Sequence, residues 1–96
     1  METKPELLRA VGGDRHANVT SDTLVKTGDG NLIAIFVSAA SGSPTIKLWD
    51  NTSAAAPVLV NTFVPLAGYT YSLPFHFRNG LFVDIGGTVD CEVTYD

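Results

Sequence analysis

The sequence predicts an all-β chain: a single antiparallel β-sandwich, jelly-roll or immunoglobulin-like, of seven or eight strands with an extended N-terminal arm. Three observations predict it. Apolar-alternating runs are broken roughly every eight to twelve residues by turn chemistry, at Gly28-Asp29-Gly30-Asn31, Ser41-Gly42-Ser43-Pro44, Asp50-Asn51, Pro65 to Gly68, Asn79-Gly80 and Gly86-Gly87. Nine glycines and five prolines accompany many Thr, Ser and Val residues, and β-branched side chains suit a pleated surface while losing χ1 freedom in a helix. With 45% apolar and 17% charged residues in 96, the chain has material for one core and a composition that argues against disorder.

The elements follow in order. Residues 1–18 mix charges with Gly12-Gly13 around one apolar cluster, Leu7, Leu8 and Val11, and read as the extended arm; residues 19–96 read as the sandwich domain. A first strand over 19–27 leads through the glycines of 28–31, a hairpin signal, into 32–40. Leu32, Ile33, Ala34, Ile35, Phe36 and Val37 are apolar on both faces. That predicts a central strand with one side on the core and the other covered by an arm, a loop or another subunit. Residues 45–50 alternate, with Ile46 and Leu48 on one face and Thr45, Lys47 and Trp49 on the other, so either Trp49 points away from the aliphatic core or the register carries a bulge.

Asp50-Asn51-Thr52-Ser53 is a turn, and Ala54-Ala55-Ala56-Pro57 a loop, because proline biases the residue before it away from helix. The strand pattern resumes over 58–64, turns at 65–68 and continues through Tyr69, Tyr71 and Leu73 on a shared face. Pro74 marks a strand end or an edge, since it cannot donate to a ladder. Phe75, His76, Phe77 and Arg78 run into Asn79-Gly80, the strongest two-residue hairpin signal of the chain. Then come 81–85, the Gly86-Gly87 turn and 88–95, where Val89, Cys91, Val93 and Tyr95 face inward and Asp90, Glu92, Thr94 and Asp96 face water.

Charge and composition narrow the function. The net charge is −4, and Lys4, Arg9, Arg15, Lys26, Lys47 and Arg78 stand singly, so the basic footprint that phosphate neutralisation needs is missing and nucleic acid is not an expected partner. The start Met1-Glu2-Thr3-Lys4-Pro5-Glu6 has no apolar core of a secretory signal, and no run approaches the roughly eighteen apolar residues of a membrane span. A soluble protein away from membranes is expected. Cys91 stands alone, so no internal disulfide forms, and its inward position suits a small buried hydrophobe.

A hydrolase needs a nucleophile held by a base, and a metal site needs clustered ligands; this chain offers His16, His76 and one cysteine. No catalytic residue, metal or cofactor is expected. His16 sits in a polar stretch, and His76, alternating with Phe75 and Phe77, faces outward as an edge or interface residue. Asp29-Gly30-Asn31 lacks the further acidic positions of a calcium loop. Asn18-Val19-Thr20 and Asn51-Thr52-Ser53 match the glycosylation sequon and read as turn residues. Asp84 and Asp90 flank a predicted hairpin on solvent faces, without the apolar pocket that raises a catalytic acid's pKa. Trp49, Phe82 and Tyr69 are the candidates for a contact surface, because large aromatics on an outward sheet face mark one.

One longer pattern runs from residue 30 to 95: Ile46-x-Leu48-x-Asp50-Asn51-Thr52, then Val64-Pro65-Leu66-x-Gly68, Tyr71-x-Leu73-Pro74-Phe75, Asn79-Gly80-Leu81-x-Val83 and Gly86-Gly87-Thr88-x-Asp90-x-x-Val93-x-Tyr95. It covers about two thirds of the chain and resembles small virion proteins of tailed bacteriophages. The resemblance implies a non-enzymatic structural protein, a capsid decoration or cement protein that is made in the host cytoplasm and sits on the capsid surface over the joints between major capsid protein subunits. It further implies a homo-oligomer, with a trimer favoured, in which Leu7, Leu8, Val11, Trp49, Phe82 and His76 are candidate interface residues. The N-terminal extension through Arg15 departs from the shortest such proteins. The alternative is a tail-fibre or baseplate module that binds host glycans by stacking a sugar on Trp49 or a Tyr, with nearby Asn and Asp hydrogen bonds.

Overall fold

The computed structural model describes residues 15–96, which form six β-strands and no helix. They are β1 (Arg15–Val19), β2 (Thr23–Thr27), β3 (Gly30–Trp49), β4 (Val58–Phe63), β5 (Thr70–Phe77) and β6 (Gly80–Tyr95). Antiparallel pairing joins them into one open sheet. Six strands replace the expected seven or eight mainly because two predicted turns are bends inside continuous strands: β3 runs through Ser41 to Pro44, and β6 through Gly86-Gly87. The turn residues still act there. Gly42 (φ 72°), Ser43 (φ 56°) and Gly87 (φ 84°) are left-handed, and the β3–β6 pairing slips between Ser41 and Thr45, so the ribbon bends without ending.

β3 and β6 pair from Leu32↔Tyr95 to Trp49↔Phe82, and the short strands flank opposite halves of this ribbon. In one half the order is β1-β6-β3-β5; in the other it is β2-β6-β3-β4. The two predicted hairpins are therefore not hairpins. β2 pairs with β6 and not with β3, and β5 pairs with β3 and not with β6, so Gly28-Asp29 and Arg78-Asn79 each carry the chain from one half to the other.

These two crossings lie side by side. The Gly28 N–H donates to the Asn79 carbonyl at 2.9 Å. Asp50 Oδ1 accepts from the backbone N–H groups of Arg78 (2.9 Å) and Asn79 (2.8 Å), the arrangement by which an Asp side chain ties down a tight turn. Glycine is needed at position 80 for space rather than for a left-handed turn, because a Cβ there would lie 2.9 Å from the Asn51 carbonyl oxygen.

β6 also doubles back on itself. Lys26, paired with Leu81 near the start of β6, donates from Nζ to the Asp96 carbonyl just past its end at 3.2 Å. Extended chain from residue 81 to 96 would separate those points by roughly 50 Å. Between the halves, the Phe63 ring of β4 lies 5.2 Å from the Tyr71 ring of β5.

The core follows the predicted alternation. Ile46 and Leu48, Leu81 and Val83, and Val89, Cys91 and Val93 are buried, joined by Val19, Leu32, Ile35, Val37 and Phe77. The doubly apolar segment has a local cause: both pairings of β3 slip between Leu32 and Ala34, so Leu32, Ile35 and Val37 all reach the core while Phe36 is left 42% exposed. Pro74 lies opposite that slip in β5, an edge strand, where its missing N–H costs no ladder bond. Arg15, His16, Ala17 and Asn18, expected in the arm, belong to β1 and pair with β6, with Ala17 packed on the core. Asn18 is thus a strand residue rather than a turn residue. Leu7, Leu8 and Val11 lie outside the described residues. Among the described residues, no helix is long and apolar enough to cross a membrane.

Candidate contact surface

Because Leu81, Val83, Ile46 and Leu48 are turned inward, the residues between them are turned out. Trp49 and Phe82 are direct partners across β3 and β6. Leu24 of β2 pairs with Phe82, and Val58 of β4 pairs with Trp49, so Leu24-Phe82-Trp49-Val58 forms one apolar row across four strands. Leu24 is 43% and Val58 45% exposed, while Trp49 and Phe82 are half-buried between them. Cross-strand apolar neighbours of this kind stabilise the sheet, but four in a row with no covering layer among the described residues form a surface suited to a partner.

The next row adds charge. Lys47 pairs with Asp84 across the same two strands. The Lys47 ammonium stands 4.3 Å from the Trp49 ring centroid, a cation–π contact, and Trp49 Nε1 donates to Asp84 Oδ2 at 3.4 Å. The indole is held from two sides. One face of the ring thus carries an ammonium.

A second apolar surface lies at the β4–β5 connection, where Val64, Leu66 (53% exposed) and Tyr69 (58% exposed) stand beside the Phe63–Tyr71 ring pair. Its backbone is fixed: Gly68 N–H donates to the Val37 carbonyl at 2.7 Å, Val37 N–H to the Tyr69 carbonyl at 2.9 Å, and Leu66 N–H to the Tyr71 hydroxyl at 3.0 Å. The Tyr69 and Tyr71 rings stack at 6.4 Å. Along the sheet, Phe63 at the near edge of this surface stands opposite Ile46, three residues or about 10 Å from Trp49.

The other candidates separate. His76 is exposed, and its Nε2 lies 2.7 Å from Asp29 Oδ1 beside the chain crossings, outside the four residues of the Trp49 row. His16 is exposed on β1. Asp84 and Asp90 belong to opposite halves of the ribbon, Asp84 accepting from Trp49 and Asp90 Oδ1 from Asn18 Nδ2 at 2.7 Å, so they do not flank a common cleft. Cys91 is buried with its thiol 3.5 Å from the Val19 carbonyl. Burial, then the neighbouring Asp90 and Glu92 carboxylates, push that thiol up to about 11. Among the described residues, no group of three or more His, Cys, Asp or Glu side chains is placed to hold a metal ion.

Leu24 and Val58 escaped the sequence reading. Each looks like an ordinary strand residue, and only the register of β2 on β6 and β4 on β3 brings them beside the aromatics. No family model, curated protein or solved structure matches the chain.

Proposed function

We propose that this chain is a structural protein of a tailed-phage virion, a capsid decoration or cement protein that binds the assembled head and stabilises it across the joints of the major capsid protein, and that its two half-sheets stack as the layers of a β-sandwich. The doubling back of β6 and the Phe63–Tyr71 contact support the stacking. The observation that carries the role is the pair of apolar surfaces exposed among the described residues, the Trp49 row and the Val64-Leu66-Tyr69 rim, on one small body. A protein that spans a joint needs two contact areas, and binding energy that exists only on the assembled shell adds to the shell's stability by linkage. Many weak contacts repeated over a lattice then act together. The ammonium on the Trp49 ring weighs against the glycan-binding alternative.

The test is co-sedimentation of the full chain with heads, lacking this protein, of the phage whose genome encodes it. Saturable binding and heads that resist heating to higher temperature are expected, with both lost in Leu66→Asp and Tyr69→Asp variants that keep the native melting temperature. Absence of binding to the heads refutes the role. Glycan-array binding that disappears in Trp49→Ala would favour the tail module instead.

A further inference from the structure

We propose that the outer face built by β2, β6, β3 and β4 is the docking site for a second copy of the same chain, related by a two-fold axis running parallel to the strands between β3 and β6. Self-complementarity is the reason. Such a rotation exchanges the two sides of the face and leaves position along the strands unchanged, so β3 of one copy lies over β6 of the other, and β4 over β2. Trp49 then packs on Phe82 of the second copy, Val58 on Leu24, and the Lys47 ammonium meets the Asp84 carboxylate, twice over by symmetry. The Trp49–Phe82 and Lys47–Asp84 contacts match chemically because each pair already sits across β3 and β6 in one row, and Leu24 and Val58 flank that row on either side.

Symmetry also decides between assemblies. A two-fold interface uses one patch that is complementary to itself, whereas a ring of three needs two different patches that fit each other. The Trp49 face has the first property. Aligned packing of two sheets is the ordinary way to cover such a face, with side chains of both sheets interdigitating across roughly 10 Å. Charge at matched positions fixes the register and excludes a displaced arrangement, since displacement by one strand stacks Lys47 on Lys47 or Asp84 on Asp84. The area is small: four strands by two rows is roughly 20 Å by 14 Å, about a third of a standard interface's share per partner, which sets the association at the weak end. The self-fit does not rest on the virion role, but it closes the Trp49 row to the shell, so that the two contact areas spanning a joint become the Val64-Leu66-Tyr69 rims of the two copies.

Charge-swap sedimentation tests it. The full chain is examined by sedimentation equilibrium from about 1 µM to about 1 mM, the span in which a small interface populates its dimer. The wild type is expected to show a monomer–dimer equilibrium. Lys47→Asp and Asp84→Lys, each folded by circular dichroism, are expected to weaken dimerisation by at least about tenfold, because each places like charges face to face in both symmetry-related contacts. An equimolar mixture of the two variants is then expected to dimerise: the carboxylate introduced at position 47 of one chain faces the ammonium introduced at position 84 of the other, and the unchanged Asp84 of the first faces the unchanged Lys47 of the second. The double swap K47D/D84K is expected to dimerise with itself. Monomeric behaviour of the wild type throughout, a monomer–trimer equilibrium, unaffected single variants, or a mixture no more associated than its parts would each overturn the two-fold face. Loss of head binding by rim variants that still dimerise separates this result from the virion role.

Discussion

Replacing Gly87 by alanine probes the bend that lets one continuous ribbon serve both halves of the molecule. Gly87 has φ 84°, and a Cβ built there lies 3.1 Å from Pro44 Cα and 3.3 Å from Pro44 Cβ. Pro44 is itself buried on the facing turn of β3, so it has little room to withdraw. Gly42, on the same bend, has φ 72° but nothing within 4 Å of its would-be Cβ. The two sites share the backbone cost of an L-residue in the left-handed region, about 1–2 kcal/mol, and differ in the contact. Crowding a packed site adds about 1–3 kcal/mol. Gly42→Ala should therefore lose about 1–2 kcal/mol and Gly87→Ala about 2–5 kcal/mol. At about 4–8 °C per kcal/mol for a domain of this size, Gly87→Ala should melt roughly 10 °C below Gly42→Ala. Thermal unfolding followed by circular dichroism, with urea midpoints as a second measure, gives both numbers. Equal melting temperatures for the two variants would refute the packing of Gly87 against Pro44, and with it the register of the bend.

Other outcomes follow from single contacts. The Cys91 thiol, held up at about 11 against an ordinary 9.0, keeps its proton in the folded chain while the unfolded chain loses it, so the unfolded state binds fewer protons across that window. The Cys91 contribution to stability should be constant below about pH 8 and fall by roughly 3 kcal/mol as pH rises from 9 toward 11, so that the difference between the wild type and Cys91→Ala in urea titrations shrinks by that amount over this window. Iodoacetamide should label Cys91 only in denaturant; fast labelling of the native chain contradicts its burial. Asp50→Ala removes the acceptor for two backbone N–H groups at the β5–β6 crossing and should cost about 1–2 kcal/mol in urea unfolding, with Asp50→Asn recovering more than half; identical midpoints for all three chains would disprove the tie. Phe77→Ala, at a fully buried site, should lose about 3–5 kcal/mol, whereas Phe75→Ala, 43% exposed, should lose less than about 2 kcal/mol; the reverse order would mean that β5 is turned over.

Which parts of this were legible beforehand follows a simple division between local and distant information. The period of two along 45–49, 81–85 and 88–95 is a property of the chain itself, so the inward sets Ile46-Leu48, Leu81-Val83 and Val89-Cys91-Val93 and the outward Trp49 could be read directly. The glycine and proline clusters likewise mark where the backbone must bend. What bends cannot carry is the identity of the strand that comes next. Gly28-Asp29-Gly30 and Asn79-Gly80 have hairpin chemistry, yet each leads across to a different neighbour, because pairing is decided by the apolar faces of β3 and β6 rather than by the loop. β1 escaped notice for the same reason: Arg15, His16, Ala17 and Asn18 have little apolar pattern, and they are strand only because the far end of the chain offers an edge to pair with.

The order of residues alone was enough for an all-β chain, the positions of its bends and the inward members of its strongest strands. Strand pairing in three dimensions was needed to place two bends inside long strands, and to bring Leu24, Phe82, Trp49 and Val58 from four separate strands into one row. Alternation is written between neighbours two residues apart, whereas a surface is written in register between segments that the chain brings together from far away, as it does Leu24 and Phe82.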